Sequence, residues 1–333
     1  MNTIPWLTQN QHLRWGLLRP SDPSTYEPWA FRKGKDNLRF HFELGRCSRP
    51  LKSWRAEFAD ALQYIIDYHG SEVALFYSGG ADSEAVLRGL LAIGVIPEVH
   101  TIKFTGNFNT HETKNAEALC ESLGVRMRVW EHDVRKWLAE EKYLDLGVKY
   151  ECDQVAYLTV LEYARKINRP VIMGGEIYVQ QHQVPDGSAY TDSRDWYYVY
   201  RENEDGVTYR YTADTGHPII NEVMTYTPEL LAAFLIHPRV QQVVTNKVPG
   251  KITLLSVKGS VYEDEFGHPL GAKVKYHGYE RLQWSNLSMR NVIREQINCS
   301  QQQAKIPYQE LVRHLLTGEP PRHENKSTYA RRF

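Results

Sequence analysis

The chain has 333 residues, and its 40 Lys and Arg are balanced by 40 Asp and Glu. A formal charge of zero argues against a general polyanion binder or a membrane-surface protein, which carry a basic excess; a local basic patch stays open. Four scattered cysteines without a CxxC pair argue against zinc ribbons and dithiol redox sites and suit a reducing cytoplasm.

The length accommodates about two domains. The opening MNTIPWLTQNQHLRW lacks the apolar core of a signal peptide. No run approaches the ~18 apolar residues of a membrane span. A cytoplasmic, soluble protein is the expectation.

In chain order, residues 1–52 read as a small β-rich piece. Leu38, Phe40, Phe42 and Leu44 alternate with polar residues, which predicts a half-buried strand, and Leu13–Leu18 is its expected partner. Residues 53–225 carry an α/β alternation. Ser53–His69 predicts a helix with Trp54, Phe58, Leu62, Ile65 and Ile66 on one stripe, capped by Ser53 and ended by Gly70. Strands are predicted at Val73–Tyr77, Glu98–Phe104, Arg126–Trp130 and Pro170–Met173, and helices at Asp82–Ile93, Thr110–Leu123, Asp133–Leu144 and Asp153–Ile167. This order predicts a parallel sheet with helices on both faces. An inserted Tyr-rich segment at about 190–212 reads as a hairpin around Glu204-Asp205-Gly206, with packed aromatics expected rather than a base-stacking platform. Residues 226–317 read as mainly helical. Residues 318–333, with Arg322, Lys326, Arg331 and Arg332, read as a solvated tail.

The chemistry concentrates at FYSGGADSEAVL, residues 76–87, where a buried strand meets a helix start. Backbone N–H groups at such a junction and the positive end of the helix form an anion site. Gly79 and Gly80 permit close backbone approach and positive φ. Ser78 and Ser83 offer hydroxyl donors. Asp82 would repel phosphate unless a divalent cation bridges the two. The chain has no GxxxxGK[ST] or GxGxxG motif, so Walker A and dinucleotide folds are disfavoured. The pairs His111-Glu112 and His132-Asp133 read as helix starts rather than metal ligands.

Ser78-Gly79-Gly80-Ala81-Asp82-Ser83 resembles the pyrophosphate loop of the N-type ATP pyrophosphatases. The layout is most similar to the synthetase domain of asparagine synthetase and β-lactam synthetase. VHTIKFTGNFNTHETKNAEALCESLGV resembles the family's second strand and helix, and VIMGGEIY its VVLSGEGxDE segment. Gly175 and Glu176 match there, whereas Val179 and Gln180 stand where the family has Asp and Glu. HPLGAKVKYHGYE resembles the Pro…RxKxGF element, with Lys275 as its lysine.

The resemblance implies an adenine nucleotide alpha-hydrolase-like fold and ATP with Mg²⁺. It implies AMP-forming adenylation of a substrate oxygen, a carboxylate or carbonyl of a small molecule, followed by attack of an amine or ammonia. Ser78, Gly79, Gly80, Ala81, Asp82 and Ser83 would hold phosphates, with Asp82 on the metal. Backbone at Ile102 and Phe104 would read adenine. Gly174 and Gly175 would approach the ribose or α-phosphate. Glu176 would act as a base or bind substrate, and Lys275 would neutralise the α-phosphate in the transition state. Asn2 stands where glutamine-dependent members carry cysteine, so no glutaminase activity is expected. Two other functions remain open: a nucleic-acid base modifier, with a persulfide on Cys120 or Cys152 as one route, and a nucleotide-binding module lacking the acidic pair.

Overall fold

The computed structural model describes residues 7–10, 13–18, 30–33, 39–175, 177–181, 196–201, 206–245, 254–270, 286–297 and 303–321. Strands β1 (Leu7–Asn10), β2 (Leu13–Leu18), β3 (Ala30–Lys33) and β4 (Arg39–Leu44) form an antiparallel sheet in the order β1-β2-β4-β3. The expected partnership holds, with Leu13 opposite Leu44 and Leu17 opposite Phe40.

Helix α1 (Trp54–His69) starts where the Ser53 side chain accepts from Ala56 N–H, and it buries Trp54, Phe58, Leu62 and Ile65. The alternation then runs β5 (Ala74–Phe76), α2 (Ala81–Ala92), β6 (Glu98–Phe104), α3 (Thr110–Ser122) and β7 (Met127–His132). The single helix expected over 133–144 is two, α4 (Val134–Ala139) and α5 (Lys142–Lys149), broken where Glu141 takes a left-handed φ of 51°. The break lets α5 lie along a later helix, which Gly147 approaches closely at Ile293. Next come α6 (Val155–Ala164) and β8 (Val171–Ile172).

The remaining elements are β9 (Val179–Gln181), β10 (Trp196–Arg201), α7 (Val207–Thr215), β11 (Ile219–Ile220), α8 (Pro228–Leu235), α9 (Pro238–Thr245), α10 (Leu254–Phe266), α11 (Asn286–Ile297), β12 (Gln303–Pro307) and α12 (Tyr308–Thr317). The expected Tyr-rich hairpin is not formed as such. Its second arm is helix α7, ended by Gly216 in the left-handed region. Val207 and Tyr211 are four apart, so VTYRY suits helical as well as alternating spacing, and Gly216 supplies the helical stop. Strand β10 pairs instead with β9 and β12, both antiparallel. Strand β12 departs from a mainly helical C-terminal region. As expected, the aromatics of β10 pack: Trp196, Tyr198 and Tyr200 are all buried in the core.

The main sheet has five strands, ordered β11-β8-β5-β6-β7 and parallel throughout. Its strands feed two cores by alternation. Leu75, Val99, Ile172 and Ile220 face one, with α1, α2 and α8. Ala74, Phe76, Val171 and Ile219 face the other, with α4, α5 and α6. β5, β8 and β11 are short and wholly apolar, as burial on both faces demands. Leu62 is fully buried between α1 and α2, where Gly89 leaves no room for a β-carbon against Leu62 and Phe58. Leu62→Ala is expected to destabilise the fold by about 2–5 kcal/mol, read as a lower urea midpoint at unchanged slope.

Candidate functional site

Strand β5 feeds β6 on one side, and its other neighbour is β8. The chain therefore leaves the C-terminal ends of β5 and β8 in opposite directions, which makes this junction the sheet's switch point, the usual ligand position in open α/β sheets. The segment Ser78–Ser83 follows β5 at this point, and Gly174-Gly175 follows β8.

Within the loop only Gly79 has positive φ, at 73°, whereas Gly80 is extended at −95° and serves as the N-cap of α2. A β-carbon on Gly79 would sit 2.5 Å from the Glu112 carbonyl oxygen. Ser83 Oγ donates to Gly80 O at 3.0 Å and lies 3.2 Å from Ser78 Oγ, and it accepts from Ser78 N–H at 3.3 Å. The two hydroxyls expected on a phosphate thus close the loop on itself. The first-turn N–H groups of a helix lack intrahelical acceptors, and those of α2 fall in this loop. Ser78 is exposed, while Gly79 to Ser83 are buried.

Asp82 does not point into an empty metal site. Its Oδ2 receives Lys258 Nζ at 2.7 Å, and its Oδ1 accepts from Tyr262 Oη at 2.7 Å. All three residues are buried. Lys258 and Tyr262 are one turn apart on α10, so one face of that helix grips both carboxylate oxygens. Mg²⁺ binds at 2.0–2.1 Å from its oxygens, and a cation on Oδ2 would collide electrostatically with the ammonium already there. This arrangement does not fit the Mg²⁺ expected at Asp82. Among the described residues no group of three or more His, Cys, Asp or Glu side chains could hold a metal ion.

The backbone expected to read adenine is also engaged. Asn109 Oδ1 accepts from Phe104 N–H at 2.8 Å, and Asn109 Nδ2 donates to Ile102 O at 2.7 Å. Beyond His100, β6 outruns β5, which turns away after Tyr77 N–H bonds to His100 O. The buried Asn109 amide fills that notch, spending its side chain on β6 rather than on capping α3.

Gly174 and Gly175 are required by close approach. A β-carbon on Gly174 would lie 2.9 Å from Ser83 N, and one on Gly175, where φ is 62°, 2.3 Å from Asn221 O. These contacts bring the ends of β8 and β11 to the loop. Behind Asn221, the buried Glu222 accepts from Tyr200 Oη at 2.8 Å. Glu176 and Lys275 lie outside the described residues. Val179, which stands where the resembling family has Asp, is a core residue on β9 facing Tyr198.

Sequence reasoning missed Lys258, Tyr262, Asn109 and Glu222. A lysine set between Val257 and Val261 with tyrosine four residues on was the one legible signal for the first two. The pair His132-Asp133 does start a helix, since Asp133 accepts from Lys136 N–H at 3.0 Å. Tyr163 Oη donates to Glu131 O at 3.0 Å, so His132 Nδ1 donates to Tyr163 Oη at 2.9 Å, and burial pushes His132 down to about 4. Cys120 is buried and raised to about 11 by that burial, and Cys152 is fully buried. Cys120 therefore does not present a reactive thiolate at neutral pH, and Cys152 is shut off from solvent.

No family model matches the chain, and no curated protein matches its sequence. Among solved structures it is similar to a predicted subunit of tRNA methyltransferase from Methanocaldococcus jannaschii, at 19% identity and a TM-score of 0.27, over 45% of this chain and 66% of that one. It is also similar to NMN synthetase from Francisella tularensis, at 15% identity and a TM-score of 0.31, over 74% of this chain and 92% of that one. No helix among the described residues is long and apolar enough to cross a membrane.

Two outcomes are expected. Gly79→Ala must move main chain at Glu112 and hold a left-handed φ, so it should lower stability by about 1–3 kcal/mol, measured by urea unfolding. For His132, the unfolded state takes a proton below the ordinary value of about 6.5, while the folded state resists until about 4. Stability should therefore fall as pH drops between those values and level off below. His132→Gln should flatten that fall in urea midpoints measured at pH 7, 5.5 and 4.5.

Proposed function

We propose that the chain is an ATP-dependent, AMP-forming ligase acting on a small molecule, of the N-type ATP pyrophosphatase kind. The observation that carries this reading is the position of Ser78-Gly79-Gly80-Ala81-Asp82-Ser83. It joins a central parallel strand to a helix start at the sheet's switch point, with Gly174 of the neighbouring strand closing on Ser83 N.

In the proposed reaction, main-chain N–H groups of the loop and the start of α2 hold the β and γ phosphates of ATP. A substrate carboxylate oxygen attacks the α phosphorus, and the bond to the bridging oxygen breaks, releasing pyrophosphate. An amine or ammonia then attacks the adenylated carbonyl carbon; AMP departs with the bonding electron pair, and the nitrogen gives up a proton. Glu176 is the proposed base for that proton, and Lys275 the proposed counter-charge at the α phosphate; both roles come from the sequence alone. A cytoplasmic location belongs to this reading, as does a small-molecule substrate favoured over a nucleic acid. Buried Cys120 and Cys152 speak against sulfur transfer through either thiol.

ATP labelled at the α phosphate, supplied with pools of carboxylates and amines, is expected to yield labelled AMP with equimolar pyrophosphate. Labelled ADP would overturn the pyrophosphatase reading. Binding without turnover in every pool would leave a nucleotide-binding module in its place.

A further inference from the structure

An asparagine just before a helix ordinarily caps it with its side-chain oxygen. The Asn109 side chain makes no capping bond to α3. Its main chain is fixed at that helix start all the same, since Asn109 O accepts from Glu112 N–H at 3.1 Å and from Thr113 N–H at 3.3 Å. The turn out of β6 folds back to bring the residue there, through two left-handed positions in succession, Gly106 at φ 81° and Asn107 at φ 62°.

The contact with β6 has one chemical sense. Phe104 N–H can only donate and Ile102 O can only accept, so the amide must turn its oxygen to the first and its NH₂ to the second. These groups continue the row that begins at His100 O, which takes Tyr77 N–H from the segment after β5. Asn109, 3% exposed, thus stands where the next residue of a neighbouring strand would be. A base that fits this pair of strand groups must first expel the amide, and its own two bonds only replace the two that are lost. A base that does not fit leaves the amide where it is. The matching base gains nothing over the mismatched one.

We infer that Asn109 is a specificity-determining residue of the nucleotide site: it occupies β6 in the base's stead, so the chain selects a nucleoside triphosphate by its phosphates and not by its base. The inference rests on the phosphate-loop reading above and deepens it, naming nucleoside triphosphates at large as the substrate class. Departure of pyrophosphate needs no contact with the base, so the proposed chemistry runs on any of them.

The test is calorimetric titration of the full-length chain with ATP, GTP and inorganic triphosphate in one Mg²⁺ buffer. Adenine offers its amino group as donor and the adjacent ring nitrogen as acceptor; guanine offers the reverse, so a site that reads this edge separates the two. Wild type is expected to bind ATP and GTP within about 5-fold of each other, the lower limit of what a matched pair of base hydrogen bonds provides. Asn109→Ala uncovers Phe104 N–H and Ile102 O, so it should separate the two nucleotides by more than about 5-fold. Inorganic triphosphate, which has no base, should bind both proteins alike. A urea transition as cooperative as that of wild type shows that the variant is folded, and the wild-type comparison stands without it.

Wild type that prefers either nucleotide by a larger factor overturns the inference. So does a folded Asn109→Ala that leaves the ratio of the two affinities unchanged. A variant that loses both nucleotides relative to triphosphate also overturns it, because the amide would then be a base contact itself. Failure of the phosphate-loop reading has a different signature: wild type does not bind triphosphate, and the inference falls with it. Failure of the ligase step alone shows as nucleotide bound without AMP formed, with the comparison of ATP and GTP intact.

Discussion

Three main-chain contacts close the C-terminal edge of the central sheet, and the rest of the site is arranged around them. At Gly79, Gly174 and Gly175 a β-carbon would fall 2.5, 2.9 and 2.3 Å from backbone atoms of Glu112, Ser83 and Asn221. None of these collisions could be relieved by a change of rotamer, because the atoms met are main chain. The start of α3, the start of α2 and the end of β11 are therefore drawn onto one spot where peptide groups outnumber side chains. A site of this kind offers N–H donors fixed by the fold, which need no reordering to meet an anion.

The same crowding explains why the charges come from elsewhere. The loop has no lysine or arginine of its own, and its only charged member, Asp82, is negative. Asp82 is neutralised from α10, 176 residues further along the chain. Removing one partner of a buried pair costs about 3–5 kcal/mol, so the contact also anchors α10 to the central domain. Trp54 of α1 lies 5.3 Å from the Tyr262 ring. The helix before the sheet and the helix after it thus share a wall behind the loop.

Much of this was legible in the sequence because it follows from local patterning. The apolar stripe from Trp54 to Ile66, the short strand at Leu75 and the glycines that end helices are readable without partners. So is the parallel α/β architecture that they jointly imply. Local pattern misled where it was ambiguous: Tyr209 and Tyr211 alternate with polar residues, yet they lie on a helix, because β10 found its partners in β9 and β12. It said little where a contact joins distant segments. The motif announced Asp82 but not Lys258: the valines flanking the lysine in SVKGSVY hint at a buried helix face, but nothing local names its partner. Asn109 stands just before the helix predicted from Thr110, and only the notch beyond the end of β5 gives its amide a use on β6.

That amide constrains how a base could bind. Asn109 presents an acceptor to Phe104 N–H and a donor to Ile102 O, the same complement an adenine edge would offer. A purine on that strand must displace two hydrogen bonds, one buried and one partly buried, and leaving such groups unsatisfied costs about 1–3 kcal/mol each. The exchange breaks even only if the base replaces both. The loop's peptide N–H groups require no such displacement of the Asn109 amide. At both places a ligand must compete with the protein's own side chains: with the Asn109 amide on β6, and with the Ser83 hydroxyl that already accepts from Ser78 N–H in the loop.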